Sequence, residues 1–127
     1  MTFAQSREKV KSLPPAIKTA TLLIEVETYN ASEKKKQKVL EKVKQAYRLY
    51  PFKYIICSHD DIDSITAEGG TYYTLSASGY VSIGSLSTRE ILLREHKDYG
   101  EIYFIRFGSS VLMAADGMIR MARSLGR

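Results

Sequence analysis

The fold class is decided by residues 33–57, which read EKKKQKVLEKVKQAYRLYPFKYIIC. The first part predicts a helix from Glu33 to about Tyr50, because its apolar positions recur with helical spacing and Ser32 is a suitable N-cap. Pro51 ends this helix, since proline cannot continue it. Residues 52–57 are mostly aromatic or β-branched, which predicts a strand.

The segments on either side extend this alternation of helices and strands. The remaining predicted elements are a short helix at 3–12, strands at 19–28, 71–75, 80–83 and 101–107, a helix begun at 87–90, and a last helix at 110–125. Ser76-Ala77-Ser78-Gly79 predicts a hairpin turn, and Ser87-Thr88-Arg89-Glu90 has the pattern of a capping box that starts a helix. Near the end of the chain, Asp116-Gly117 would suit a hairpin turn, but the helical spacing of the apolar residues around it favours the helix at 110–125. This helix would place Gly117 on the solvent side.

Together these elements predict an α/β protein of the α+β sandwich type. We expect a mixed sheet of about five strands with three to four helices packed on it, and the strand at 101–107 near its centre. No repeat, linker or shift in composition divides the chain, so residues 1–127 are expected to form a single domain.

The composition is that of a folded globular protein. Hydrophobic residues make up 44% and charged residues 26% of the 127 residues, which argues against disorder. No apolar run approaches the roughly 20 residues that span a bilayer, and residues 1–8 are too polar for a signal peptide. The single cysteine agrees with a reducing compartment, so we expect a cytoplasmic protein without a membrane partner.

The chain is basic, with a formal charge of +5, and its clearest cationic cluster lies in the helix at 33–50. Phosphate contacts need clustered cations, so this helix is a candidate for binding DNA or RNA. The candidate residues are Lys34, Lys35, Lys38, Lys42 and Arg48. The alternative is an ordinary solvated helix face, because Glu33 and Glu41 dilute the positive charge.

The strand at 52–57 ends in the thiol of Cys57, and four ionisable side chains follow it in Ser58-His59-Asp60-Asp61-Ile62-Asp63. Carboxylates beyond a strand end commonly serve as caps and turn residues, which favours a polar loop here. Cys57 and His59 share a face if the chain is extended, as a nucleophile and its base would. A buried thiol beside a surface imidazole is the alternative.

The same segment resembles the first motif of the DHH phosphoesterases, His-x-Asp-x-Asp after a hydrophobic strand. The resemblance implies that His59, Asp61 and Asp63 bind a divalent manganese ion that polarises phosphate and activates water. The chain departs from the family at Ser64, where the family has glycine. It also has no later Asp-His-His triplet.

Methionine and arginine are enriched in protein interfaces, and both concentrate near the end of the chain. The candidate interface residues are Met113, Met121, Arg120 and Arg123. The leading hypothesis is therefore a non-enzymatic, self-associating accessory subunit of a nucleoprotein or filament assembly, with a protein partner and no cofactor. The alternatives are nucleic-acid binding through the helix at 33–50 and a metal-dependent phosphoesterase.

Overall fold

A computed structural model of the chain describes residues 9–10, 12–26, 32–83, 86–97, 100, 102–105 and 110–126. These residues form β1 (Lys9–Val10), a 3-10 turn (Pro15–Lys18), β2 (Thr21–Glu25), α1 (Glu33–Tyr47), β3 (Tyr54–Cys57), a second 3-10 turn (His59–Asp61), α2 (Ile62–Thr66), β4 (Tyr72–Ile83), β5 (Leu86–Glu95), β6 (Ile102–Ile105) and α3 (Ala115–Leu125). The predicted mixed α/β class is confirmed.

The described strands form one mixed sheet with the order β1-β6-β5-β4-β2-β3. β2 pairs in parallel with β3 and β4, whereas β4, β5 and β6 are joined antiparallel, and the two-residue β1 pairs in parallel with β6. Five strands of four residues or more therefore agree with the predicted number. The expected central position of the strand at 101–107 is wrong, because only β1 lies outside β6.

Helix α1 forms as its sequence predicts. The hydroxyl of Ser32 accepts a hydrogen bond from the backbone amide of Lys35 at 3.3 Å, so it caps the first turn. Val43 and Tyr47 are buried on its inner side. The helix ends at Tyr47, a few residues earlier than predicted and ahead of Pro51.

Three local predictions are wrong because strand pairing overrides them. Residues 72–83 form one strand, with an irregularity between Ser76 and Gly79 where a hairpin turn was expected. The capping-box pattern at 87–90 lies inside β5, whose Ile91 and Leu93 are both fully buried in the alternating pattern of a strand. In the predicted helix at 3–12, Lys9 and Val10 belong to β1, and the rest lies outside the described residues apart from the bend at Ser12.

Helices α1 and α3 pack side by side on one face of the sheet and enclose the main core. That core is formed by Leu22 and Ile24 of β2, Tyr73 and Leu75 of β4, Ile91 and Leu93 of β5, Val43 and Tyr47 of α1, and Met118 and Ala122 of α3, among others. α3 buries a wider arc than its sequence predicts, since Gly117 and Met121 are also buried. Gly117 is therefore not on the solvent side.

The opposite face of the sheet carries a smaller apolar cluster. Leu23, Cys57 and Ile62 are buried there, with Ile65 and Tyr72 packed against them. The hydroxyl of Tyr72 donates to the carbonyls of Ile65 at 3.3 Å and Gly69 at 2.9 Å, which ties α2 to the sheet. Among the described elements, only this short segment covers that face, so we call the remainder the uncovered face.

A buried hydrogen bond joins the two large helices. The hydroxyl of Tyr47, at the end of α1, donates to the carbonyl of Val111 just before α3 at 2.5 Å. The neighbouring Tyr50 also has a buried hydroxyl, which has no hydrogen-bond partner among the described residues. Burial raises the pKa of both phenols, so both stay protonated at neutral pH.

These two tyrosines give a matched pair of stability tests. Tyr47→Phe removes the hydrogen bond and leaves the Val111 carbonyl unsatisfied, so we expect the free energy of unfolding to fall by about 1–2 kcal/mol. Tyr50→Phe removes a buried hydroxyl that has no partner among the described residues, so it is expected to be neutral or stabilising. Urea denaturation of both variants measures the difference, and equal destabilisation would contradict it.

Candidate functional site

The outer surface of the two packed helices, which we call the helical layer, is strongly basic. Its exposed cations are Lys34, Lys35, Lys38, Lys42, Lys44, Arg48, Arg120 and Arg123, against the exposed carboxylates Glu33, Glu41 and Asp116. All five predicted nucleic-acid-binding residues are thus exposed on this surface. Lys34 and Arg48 are 14 residues apart, so the cations extend over about 21 Å of helix length.

A groove of about 480 Å³ lies on the uncovered face, on the side of the sheet opposite the helical layer. It is lined by Glu25, His59, Asp60, Ile62, Asp63, Thr74, Ser76, Leu92, Arg94 and His96. Both histidines of the chain therefore line the same groove, although they are far apart in sequence. Strands β2, β4 and β5 supply its sides and floor, and the segment at 59–63 supplies the rest.

His59 and Glu25 form a hydrogen-bonded pair in the groove. The Nδ1 atom of His59 lies 3.1 Å from Oε1 of Glu25, which is only 14% exposed, while His59 is 72% exposed. The hydrogen bond to Glu25 and its negative charge raise the pKa of His59, and Asp60 and Asp63 add to this effect. Since Nδ1 is held by Glu25, the Nε2 atom is the one available to a ligand.

The structure does not assemble the metal site implied by the DHH motif. The carboxylate of Asp61 accepts hydrogen bonds from the amide of Ser58 at 3.2 Å and from its hydroxyl at 3.0 Å. Asp61 is therefore committed to capping the turn, whereas His59 and Asp63 line the groove. Within the described part of the chain, no three His, Cys, Asp or Glu side chains are grouped so as to hold a metal ion.

Cys57 lies in the apolar cluster beneath α2 and is only 5% exposed. Burial, with smaller contributions from Asp61 and Glu25, raises the pKa of its thiol to about 11. The thiolate is the nucleophilic form, so this cysteine is unreactive at neutral pH. Its interpretation as a small buried hydrophobe is confirmed, and the structure gives no support to a catalytic pair with His59.

The four predicted interface residues do not share one environment. Met113 is 62% exposed just before α3, and Arg120 and Arg123 are exposed on that helix. Met121 is only 6% exposed and belongs to the main core. The wider buried arc of α3 accounts for Met121, so Met113 and the two arginines are left as surface candidates.

Sequence reasoning found His59 and Asp63 but missed the residues that complete the groove. Glu25 was assigned only to a strand, and Arg94 was placed in a predicted helix that is in fact β5. Had β5 been recognised, its alternation would have placed Arg94 on the face opposite Leu93. No local signal links either residue to His59, because the sheet topology alone brings them together.

The comparisons with known proteins give no family assignment. No protein-family model, curated protein or solved structure matches the chain. A separate finding is that none of the described helices has the length and apolar character needed to cross a membrane.

The His59–Glu25 pair predicts a measurable dependence on pH. Because Glu25 raises the pKa of His59 above its ordinary value of 6.5, Glu25→Gln should lower it, as followed by NMR titration of the imidazole. Asp60→Asn is the matched control and should lower it less, since Asp60 contributes less. The pair stabilises the fold below about pH 6.5, and this small contribution is lost as the pH rises through the raised pKa. An unchanged titration in Glu25→Gln would contradict the pairing.

Proposed function

We propose that this chain is a non-catalytic nucleic-acid-binding module that contacts phosphates through its helical layer, as an accessory subunit of a nucleoprotein assembly. One observation carries the proposal, namely the separation of charge between the two sides of the sheet. The helical layer exposes eight cations and three carboxylates. The groove on the opposite side is lined by three carboxylates, Glu25, Asp60 and Asp63, and by a single arginine, Arg94.

The arrangement of the cations supports binding to a linear polyanion. Lys34, Lys38 and Lys42 are spaced by four residues, so they follow one line along α1. The 21 Å covered by α1 corresponds to roughly six steps of 3.4 Å along one strand of a duplex. Arg120 and Arg123 of the adjacent α3 widen the same positive surface. Such contacts give affinity that depends on salt and carries little sequence preference.

The test is a salt series of binding to a labelled duplex and to a labelled single strand. Binding by the native chain should weaken steeply as salt increases. Simultaneous Lys34→Glu, Lys38→Glu and Lys42→Glu should reduce the slope of log affinity against log salt by about 2 or more, because three phosphate contacts are lost. Fluorescence anisotropy at several salt concentrations measures this slope.

Position provides the control. Lys38→Glu and Lys53→Glu change the net charge equally, but Lys53 is an exposed residue next to β3 and outside the helical layer. The proposal expects the first variant to weaken binding clearly more than the second. Equal effects would show that only total charge matters, and absence of binding to either nucleic acid at low salt would refute the proposal.

Self-association is a second candidate, and one specific observation favours it. Leu112 and Met113 are adjacent, apolar and exposed, at 36% and 62%. Covering neighbouring apolar side chains with a second molecule removes their surface from water, which favours association. A second copy of the chain is the occupant proposed for this surface.

Light scattering at micromolar concentration tests this second candidate. The native chain should have the mass of an oligomer, and Met113→Glu should shift it to a monomer by placing a charge in the contact. Leu49→Glu is the control, because Leu49 is a similarly exposed apolar residue elsewhere on the surface. A monomeric native chain, or an oligomer unaffected by Met113→Glu, would reject this surface.

A further inference from the structure

The groove on the uncovered face has two walls of opposite charge. Its floor is β4, which contributes Thr74 and Ser76, and the strand order places β2 on one side of β4 and β5 on the other. Neighbouring strands lie about 4.8 Å apart, so the backbones of β2 and β5 are separated by roughly 10 Å across this floor. The volume of about 480 Å³ lies within the usual range for small-molecule sites.

One wall is acidic. It combines Glu25 at the end of β2 with Asp60 and Asp63 from the segment that follows β3. Glu25 is paired with the imidazole of His59. Asp60 and Asp63 are exposed, and neither forms an ion pair with any residue that the structure describes. Two carboxylates therefore line the groove without an ion pair among the described residues.

The other wall is basic. Arg94 belongs to β5, and His96 follows that strand with its backbone amide donating to the carbonyl of Tyr72 at 2.9 Å. Arg94 is exposed and forms no ion pair within the described residues, although the opposite wall carries carboxylates. Among the described residues, the charges of the two walls are therefore not paired with each other.

We infer that this groove binds a short zwitterion, a free di- or tripeptide, with its ammonium group against Asp60 and Asp63 and its carboxylate against Arg94 and His96. Three residues of extended chain reach about 10 Å, which is similar to the spacing of β2 and β5 across the floor of the groove. Thr74 and Ser76 of β4 line the groove between the two charged ends. The proposal is independent of nucleic-acid binding, which uses the opposite side of the sheet.

The charges also discriminate between ligand classes. A dianionic phosphate could pair with the basic wall, but it would leave the two carboxylates of the acidic wall without a cation. A ligand with only a positive charge would pair with the acidic wall, but it would offer no anion to Arg94. Only a molecule with separated opposite charges complements both walls.

Calorimetric titration of the full chain with three matched probes tests the inference. The probes are triglycine, which carries both charges, N-acetyltriglycine, which lacks the ammonium, and triglycine amide, which lacks the carboxylate. Triglycine should bind at millimolar concentration or better, and each blocked probe should bind about tenfold more weakly or worse. If triglycine amide binds as tightly as triglycine, or if no probe gives heat, the inference is overturned.

Variants then assign each end of the ligand to a wall. Arg94→Gln should abolish the preference for triglycine over its amide, and Asp63→Asn should reduce the preference for triglycine over its acetylated form. Both positions are exposed, so the variants are expected to fold, and thermal melts followed by circular dichroism check this. Lys53→Gln is the control outside the groove and should leave both preferences unchanged. Unaltered preferences in folded Arg94→Gln would also overturn the inference.

Discussion

The parallel pairing of β2 with β4 determines which side chains face which side of the sheet. Leu22 pairs with Tyr73 and Ile24 pairs with Leu75, and all four lie in the main core. A slip of one residue in either strand would turn its buried set away from the helices, so burial fixes the register strongly. Once this register is set, α1 and α3 must cover one face, and the alternate residues must face the other.

This arrangement separates the charges of the chain into two surfaces. The cations on α1 and α3 point away from the sheet, whereas Glu25 and Arg94 stand on the uncovered face. The sheet and the two helices packed on it lie between these surfaces, so the distance between them is greater than roughly 10 Å. The Debye length is about 8 Å at physiological ionic strength, so each surface acts largely on its own. The net charge of +5 for the whole chain therefore does not indicate the charge of either surface.

Sequence reasoning succeeds where local signals agree and fails where distant pairing decides. The cap at Ser32, the helical period and Pro51 all indicate α1, and the structure contains it. The capping-box pattern at 87–90 is an equally good local signal, but pairing with β4 makes that segment a strand. His59 was found from its own motif, whereas its partner Glu25 is 34 residues away. No spacing rule reaches that distance, because only the order of strands brings the two together.

The central claim is that the two sides of the sheet have different partners and that nucleic acid meets the helical side. NMR mapping of backbone amide shifts, with a single-stranded oligonucleotide added at low salt, tests it most directly. The account predicts shifts in α1, centred on Lys34, Lys38 and Lys42, and in α3 around Arg120, with little change at Arg94. Shifts confined to the groove residues, with α1 unchanged, would contradict it.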